Sequence, residues 1–224
     1  SSEGNDTDII LSGGAISNDA NHISGPSRTG DGLYLAIRQA MEEAAVLAED
    51  VSFMNTHGTA TVYNDEMESK AIHLAGLETV PVHSLKSYFG HTLGASGVIE
   101  SIICIHELKE NVLFGTLGYE KPGVSMPILV QADHQEIPMK HCIKTASGFG
   151  GCNAAIVLTL PAYQKQPSSV QSPVTVHTTA TVSIENSCLS MNGETVFSSS
   201  APNFAQFIRE AYKNTGGSNM KFYK

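Results

Sequence analysis

The 224-residue sequence lacks the features that mark several protein classes. It has no apolar run of about 18 residues, the length that a membrane span needs. Its polar, acidic start has neither the basic nor the apolar region of a signal peptide. Basic residues are also scarce, because 13 Lys and Arg stand against 22 Asp and Glu, which argues against a nucleic-acid surface. We therefore expect a globular protein with no membrane span and no nucleic-acid partner.

Cysteine is equally scarce, and the four cysteines show no paired spacing: Cys104, Cys142, Cys152 and Cys188. A disulfide framework is excluded on this ground, and a reducing cytoplasm is the expected compartment. His134, His141 and Cys142 also lack the paired spacing of zinc ligands. The Gly-x-x-x-x-Gly-Lys-Ser/Thr order of a phosphate loop is absent as well. The sequence predicts no metal site and no cofactor.

The pattern of apolar residues predicts a layered α/β domain, in which short strands alternate with amphipathic helices. The strands are expected at Asp8–Ser12, ending at Gly13-Gly14, and at Val51–Asn55, Val80–Ser84, Lys144–Ser147 and Ala154–Leu160. The helices are expected from Leu33, from an N-cap at Asn64 to about Ala75, and from about Gly94 to Asn111.

The charge changes along the chain. Residues 1–165 carry a net charge of −10 and residues 166–224 a net charge of +1. The change falls on a polar Pro/Ser stretch, so we predict a main domain over 1–163 and a linker over 164–173. Residues 174–224 are expected to form a β-hairpin plus helix appendage or the start of a following module. Asn192-Gly193 favours the hairpin, and the stripe Phe204, Phe207 and Tyr212 favours the helix.

Two histidines lie in loops whose neighbours suggest chemistry. His57 follows a predicted strand within the run THGTAT (56–61), and an imidazole there can donate a hydrogen bond to a developing oxyanion. His91 lies five residues after Lys86 in a glycine-spaced loop, where an ammonium group would bias the imidazole's protonation. Taken singly, such a histidine is more often structural than catalytic, and the run GFGG (148–151) by itself predicts only a tight hairpin.

Five motifs in order make the signal specific: DANH (19–22), THGTAT (56–61), NDEME (64–68), KSxxGHxxGAxG (86–97) and GFGGxN (148–153). Together they resemble the C-terminal half of a β-ketoacyl-[acyl-carrier-protein] synthase, over about residues 9–160. The resemblance implies the thiolase-like fold, here a mixed sheet with helices. It also implies decarboxylative Claisen condensation of an acyl thioester with malonyl-carrier protein, in fatty acid or polyketide/polyene synthesis.

The resemblance also implies roles for individual residues. His57 and His91 would be the active-site imidazoles, with Lys86 supporting His91 and Glu68 as a buried carboxylate near that lysine. We expect Lys86 and Glu68 to form a partly buried pair behind His91. Three further residues would contact the substrate: Thr59 and Thr61 the pantetheine arm, and Phe149 the acyl pocket as its mobile gate. The expected partners are an acyl carrier protein with phosphopantetheine-bound acyl and malonyl groups, the missing N-terminal synthase half, and a second synthase chain in a homodimer or heterodimer.

One element of the family pattern has no counterpart in this sequence. The family's nucleophile is a cysteine in an Ala-Cys-Ser-type elbow of the N-terminal half, and no cysteine here has that context. We expect a fragment of a longer chain or one half of a split acyltransferase, inactive in isolation. A non-catalytic partner subunit resembling a chain-length factor is the alternative, although such relatives commonly lose the histidines. A thiolase is disfavoured, since Cys152 is not in a Cys-x-Gly turn.

Overall fold

The computed structural model describes residues 8–22 and 25–165, together with three short strands between 182 and 198. In chain order the elements are β1 (Ile10–Asn18), α1 (Asp31–Ala44), β2 (Val51–Asn55), α2 (Val62–Leu74), β3 (Val82–His83), α3 (Lys86–Phe89), α4 (Ser96–Glu110), β4 (Val112–Leu113), β5 (Gln135–Glu136), β6 (His141–Gly148), β7 (Cys152–Thr159), β8 (Val182–Glu185), β9 (Cys188–Met191) and β10 (Glu194–Ser198). Short 3₁₀ helices cover Ala48–Asp50, Leu93–Ala95 and Pro161–Tyr163.

The main sheet has five strands in the order β1-β7-β6-β2-β3. Strands β1, β7 and β6 pair antiparallel, while β2 runs parallel to both β6 and β3. The sheet is therefore mixed, as expected. Because β2 and β3 are parallel, their carboxyl ends lie at the same edge, and the two loops that follow them carry the histidine motifs.

Helices cover both faces of this sheet. Residues of β6 alternate between the two faces, so Ile143 belongs to the core formed with α1 and α2, and Cys142 to the core formed with α4. The first core is the larger and includes Leu33 and Ile37 of α1. The second is completed by Leu108 of α4 and others. The main domain is thus a three-layer α/β/α arrangement. No described helix is long and apolar enough to cross a membrane.

Three predicted boundaries are wrong, and one of them is the start of β6, which was expected at Lys144 and lies at His141. Strand β1 does not end at Gly13-Gly14 but continues through both glycines to Asn18. Helix α1 packs so closely there that a Cβ on Gly13 would lie 2.2 Å from the Ala40 carbonyl oxygen, which explains the glycine. Helix α2 starts at Val62 with Thr61 as its N-cap, and Asn64 lies inside the helix. Asn64 is buried because its side-chain amide donates to the Glu68 carboxylate and does not cap the start of the helix.

The hairpin that Asn192-Gly193 predicted is present in the backbone, since β9 and β10 pair antiparallel with Met191 opposite Glu194. Strand β8 extends this hairpin to a three-stranded sheet. The predicted helix with Phe204, Phe207 and Tyr212 lies outside the described residues. The boundaries 1–163, 164–173 and 174–224 remain predictions.

Candidate active site

The two motif histidines meet at the edge where β2 and β3 end. The His57 and His91 rings lie 5.1 Å apart between centroids, at an interplanar angle of 81°. The loops are joined by hydrogen bonds, because the Thr56 amide donates to the His83 carbonyl at 3.0 Å and the Ser84 hydroxyl donates to the Gly58 carbonyl at 2.9 Å. His57 is buried, whereas His91 is exposed. The pair therefore presents one buried and one exposed imidazole at the same edge of the sheet.

Gly58 shapes the loop that presents His57. Its φ of +48° lies in the left-handed region, and a Cβ there would be 2.5 Å from the Ser84 Cβ. A side chain at this position would be strained and would also push the two loops apart. The glycine in the THGTAT run is thus required by the contact between the loops.

Glu68 holds the same loop from below. Its buried carboxylate accepts hydrogen bonds from the backbone N–H groups of His57 and Gly58, both at 2.7 Å, and from the Asn64 side-chain amide at 2.7 Å. Burial raises the pKa of this carboxyl, and the N–H donors of Gly58 and His57 oppose that rise. All three groups donate hydrogen bonds to the carboxylate. Glu68 therefore positions His57 by holding the backbone of the His57 loop.

Lys86 is buried as expected, but its partner is not Glu68. The Lys86 Nζ donates to Glu100 Oε1 at 2.7 Å, and the Lys144 Nζ forms a second ion pair with Glu100 Oε2 at 2.7 Å. No ion pair joins Lys86 to Glu68 in the described structure. The expected Lys86–Glu68 pair is therefore wrong, and the reason is geometric: Glu68 faces the backbone of the His57 loop, while α4 brings Glu100 to the lysine.

Sequence reasoning missed Lys144 and Glu100. Each is a charged residue beside apolar neighbours: Lys144 follows Ile143 in β6, and Glu100 follows Ile99 in α4. Both are at most 4% exposed. Because an unpaired buried charge is costly, two such residues in separate segments indicate that they meet in the fold. That signal was available, but the sequence did not say which charges pair.

Burial and the nearby lysines keep both imidazoles neutral. Burial is the main cause that lowers the pKa of His57 to about 3, and Lys86, Lys144 and then the His91 ring act in the same direction. Burial and then Lys86 also lower the pKa of His91. A neutral imidazole offers one N–H donor rather than a positive charge.

Hydrogen bonds fix which nitrogen of His91 carries the proton. The Leu93 backbone N–H donates to His91 Nδ1 at 3.2 Å, so Nδ1 is an acceptor. In the neutral ring the proton then lies on Nε2. The Ser96 hydroxyl lies 3.1 Å from the same Nδ1 and adds to its orientation. His91 is therefore set to donate from Nε2.

The remaining predicted substrate residues fall in two places. Thr59 and Thr61 lie on the His57 loop with their hydroxyls 2.9 Å apart. Phe149 lies in the β6–β7 turn and is 85% exposed, and no described ring contact joins it to either histidine. The threonines thus lie on the His57 loop, and Phe149 follows the carboxyl end of β6, the strand that runs parallel to β2.

The first and last motifs also meet. The Asn153 side-chain amide donates to Asp19 Oδ1 at 2.8 Å, and the Asp19 N–H donates to the Gly151 carbonyl at 2.8 Å. The Ser27 N–H donates to the other Asp19 oxygen at 2.8 Å. Residues 134 positions apart in sequence therefore fix the loop after β1 against the GFGGxN turn.

His83 belongs to a second buried group of polar side chains, apart from the His57 and His91 pair. Among the described residues, His83, Cys104 and Glu107 place their ligand atoms within 4.8 Å of one another. The sequence had predicted no metal site and had considered only His134, His141 and Cys142. The signal that could have found this group is the spacing of Cys104 and Glu107, one turn apart on α4.

Comparison with solved structures defines the class. A chain of the complex between the ketosynthase ApeO and its chain length factor ApeC from Xenorhabdus doucetiae matches with a TM-score of 0.64 and 31% identity, over 67% of this chain and 39% of that one. A chain of AntDE:AntF, a type II polyketide acyl-carrier protein in complex with its ketosynthase bound to the hexaketide, matches with a TM-score of 0.62 and 30% identity, over 66% and 38%. The fold is that of the thiolase-like ketosynthases.

Sequence comparison gives the family. The model of the β-ketoacyl synthase C-terminal domain matches residues 9–120, which is half of the chain. The 3-oxoacyl-[acyl-carrier-protein] synthase 2 of Vibrio harveyi is 36% identical over 152 residues, covering 66% of this chain and 37% of that protein. The chain belongs to the β-ketoacyl synthase family and carries its C-terminal domain. It spans somewhat more than a third of the length of the curated relatives it matches.

Proposed function

We propose that this chain provides the decarboxylation machinery of a 3-oxoacyl-[acyl-carrier-protein] synthase, with His57 and His91 as the donors to the extender thioester. The observation that carries the proposal is the pair of neutral imidazoles whose rings lie 5.1 Å apart at an open edge of the sheet. Family membership supports the reaction class.

The proposed step needs hydrogen-bond donors that act on developing negative charge. When the bond between the malonyl C2 and its carboxylate breaks, CO₂ leaves and the electron pair moves through C2 to the thioester oxygen. The resulting enolate oxygen accepts N–H bonds from the two imidazoles. Its C2 then attacks the acyl thioester, and the nucleophilic thiolate leaves as the new carbon–carbon bond forms. Because the charge on oxygen is absent in the ground state, fixed donors lower the barrier.

The cations behind the histidines suit this role. Lys86 and Lys144 are buried, share the carboxylate of Glu100, and both lower the pKa of His57. Their charges add to the effect of burial in keeping His57 unprotonated, and they also favour an anion forming in front of the rings. We therefore assign Lys86, Lys144 and Glu100 as positioning residues.

The nucleophile is proposed to come from another part of the synthase. Cys104 and Cys142 are completely buried, and burial raises the pKa of the Cys104 thiol well above its usual range. Cys152 is exposed in the β6–β7 hairpin. We expect the isolated chain to form no β-ketoacyl product and no stoichiometric adduct with a cerulenin-type thiol reagent. Rapid labelling of one cysteine together with product formation would overturn this assignment.

The decisive experiment uses the chain together with the half that carries the nucleophile. His57→Ala and His91→Ala should each slow decarboxylation of malonyl-carrier protein by roughly 10²- to 10³-fold, as loss of an oxyanion donor does. Acyl transfer to the cysteine should survive better. His106→Ala, on the outer part of α4, is the matched control and should leave both steps unchanged. Decarboxylation at the parent rate in both variants would refute the proposal.

A non-catalytic role beside a catalytic ketosynthase is the second candidate, favoured by the match to a complex that contains a chain length factor. Either function requires a carrier protein and a second synthase chain as partners. The same experiment separates them, because a non-catalytic subunit would tolerate His57→Ala and His91→Ala without loss of condensation by the complex.

A further inference from the structure

The second buried polar group occupies an otherwise apolar core. His83 ends β3, while Cys104 and Glu107 lie on α4, and all three are at most 1% exposed. Their surroundings are the second hydrophobic core, which includes Phe53, Leu108 and Leu113. Three polar side chains that meet in such a place need partners, because burying them unpaired is unfavourable.

Cys104 contacts His83 and Cys142, yet several buried polar atoms of the group and its neighbours have no hydrogen-bond partner. Glu107 Oε1 accepts from the Phe114 N–H at 2.9 Å, but Glu107 Oε2 has no hydrogen-bond partner. The His83 Nδ1 and Asn55 Oδ1 atoms nearby lack partners as well, while the Asn55 amide nitrogen lies 3.4 Å from His83 Nε2. The Phe114 contact therefore orients the carboxylate and leaves its other oxygen directed at the histidine and the thiol.

The separations fit a bound cation better than a direct ion pair. His83 Nε2 lies 3.4 Å from Glu107 Oε2, whereas a charge-assisted N–H to carboxylate contact is about 2.7–2.9 Å. Zinc ligands at about 2.0–2.3 Å in a tetrahedron are about 3.3–3.8 Å apart. The observed separation is one edge of such a tetrahedron, and the Cys104 thiol lies within 4.8 Å of both atoms.

From this geometry we propose that His83 Nε2, Cys104 Sγ and Glu107 Oε2 bind one Zn²⁺ ion in the interior of the domain. A nitrogen, a thiolate and a carboxylate oxygen form a donor set that zinc accepts. Binding releases to solvent the thiol proton and, from a protonated His83, the Nε2 proton, and the ion's charge is balanced by the thiolate and the carboxylate. A water in the fourth position would donate to the unpartnered Asn55 Oδ1.

The rival interpretation is a metal-free pair of protonated His83 and ionised Glu107. Burial lowers the pKa of His83, but Glu107 and Cys104 outweigh it and raise that pKa to about 9. Such a pair in apolar surroundings offsets its desolvation only when the contact is close. At 3.4 Å it is not close, so the ion accounts better for the arrangement.

The position of the ion gives it a structural role. Asn55 and His83 are paired in register at the ends of β2 and β3, and these strands lead into the loops with His57 and Lys86. Helix α4 carries Glu100 one turn before Cys104. A zinc ion would therefore link the ends of β2 and β3 to α4, the helix whose Glu100 carboxylate pairs with Lys86 and Lys144. Because the site is closed, the ion would not contact substrate.

The test measures metal on the full chain. We refold it with a small excess of Zn²⁺, remove free metal by desalting, and determine the metal by mass spectrometry. About one zinc per chain is expected, with a higher melting temperature than the chain refolded in chelator. Refolding with Co²⁺ should give a thiolate-to-cobalt charge-transfer band. A wild-type chain without retained zinc and without that band overturns the proposal, and this result needs no variant to fold.

Variants locate the ion. Cys104→Ala and Glu107→Gln should lose retained zinc, and Cys104→Ala should also lose the cobalt band. Leu113→Ala removes an apolar side chain from the same core and controls for loss of packing, while Cys152→Ser removes the exposed thiol. Both controls should keep the metal. Loss of zinc in Cys152→Ser, with retention in Cys104→Ala, would assign the metal to a surface site and refute the proposal.

Discussion

His57 and His83 are both buried near the ends of adjacent parallel strands, yet their neighbours have opposite charge. His57 lies beside Lys86 and Lys144, and its pKa is lowered to about 3 by burial and by those cations. His83 lies beside Glu107, which overcomes the effect of burial and raises its pKa to about 9. The neighbouring charges thus favour the neutral form of His57 and the protonated form of His83.

The difference follows from which helix residue reaches each strand end. Helix α4 contributes Glu100 to the lysines and Glu107 to His83, two turns apart on one helix. Glu100 is shared by two cations, and both cations lower the pKa of His57. Glu107 has no cation other than the imidazole itself. The comparison shows that the register of α4 against β2 and β3 decides the chemistry of both histidines.

The largest expected effect comes from removing the carboxylate between the lysines. Glu100→Gln leaves Lys86 and Lys144 buried without an anion, and we expect a loss of about 3–5 kcal/mol in the free energy of unfolding. Urea unfolding of the full chain measures this. Glu110→Gln, at the exposed end of the same helix, should change stability by less than about 0.5 kcal/mol. A loss below about 1 kcal/mol for Glu100→Gln would show that the lysines are not held by this carboxylate.

A smaller loss of stability is expected from a substitution in the loop that carries His57. Gly58→Ala combines a left-handed backbone with a contact to the Ser84 side chain, so we expect a loss of about 2–4 kcal/mol. Gly97→Ala, in α4 where a Cβ meets nothing within 4 Å, should stabilise the chain by up to about 1 kcal/mol. Thermal unfolding of both variants measures the two changes in stability. Equal effects of the two substitutions would contradict the described loop.

The pH dependence sharpens the contrast at His57. Its folded pKa of about 3 lies below the unfolded value of 6.5, so the unfolded chain binds the proton more readily between these values. The contribution of neutral His57 is complete above about pH 6.5 and is lost as the pH falls toward 3. At pH 5 it should amount to a loss of about 2 kcal/mol relative to pH 7.

The variant His57→Gln isolates this contribution, because it cannot take up the proton. Urea unfolding of both proteins at pH 7 and pH 5 should show the wild type losing about 2 kcal/mol more than the variant. Between pH 7 and pH 8 the difference between them should stay constant. Identical losses on acidification would mean that His57 is protonated as readily in the folded chain as in the unfolded one.

Sequence reasoning located the histidines but not the charges behind them. The THGTAT and KSxxGHxxGAxG runs identified His57, His91 and Lys86 as one constellation, and the fold brings them together. The partner of Lys86 was assigned wrongly to Glu68, because ion pairs between distant segments depend on which side chains face each other across the layers. Asn64 was misplaced for a related reason: its amide serves Glu68 rather than the start of α2.

The sequence alone determined the α/β class, the strands on either side of the GFGG turn, the family and the positions of both imidazoles, because periodicity and local motifs carry that information within short segments. Only the tertiary structure decided that Glu100 is shared by two lysines, that Glu68 holds the backbone of the His57 loop, and that His83, Cys104 and Glu107 converge. Those contacts join residues far apart in the chain. The way the helices pack on the sheet determines their geometry, which no local pattern encodes.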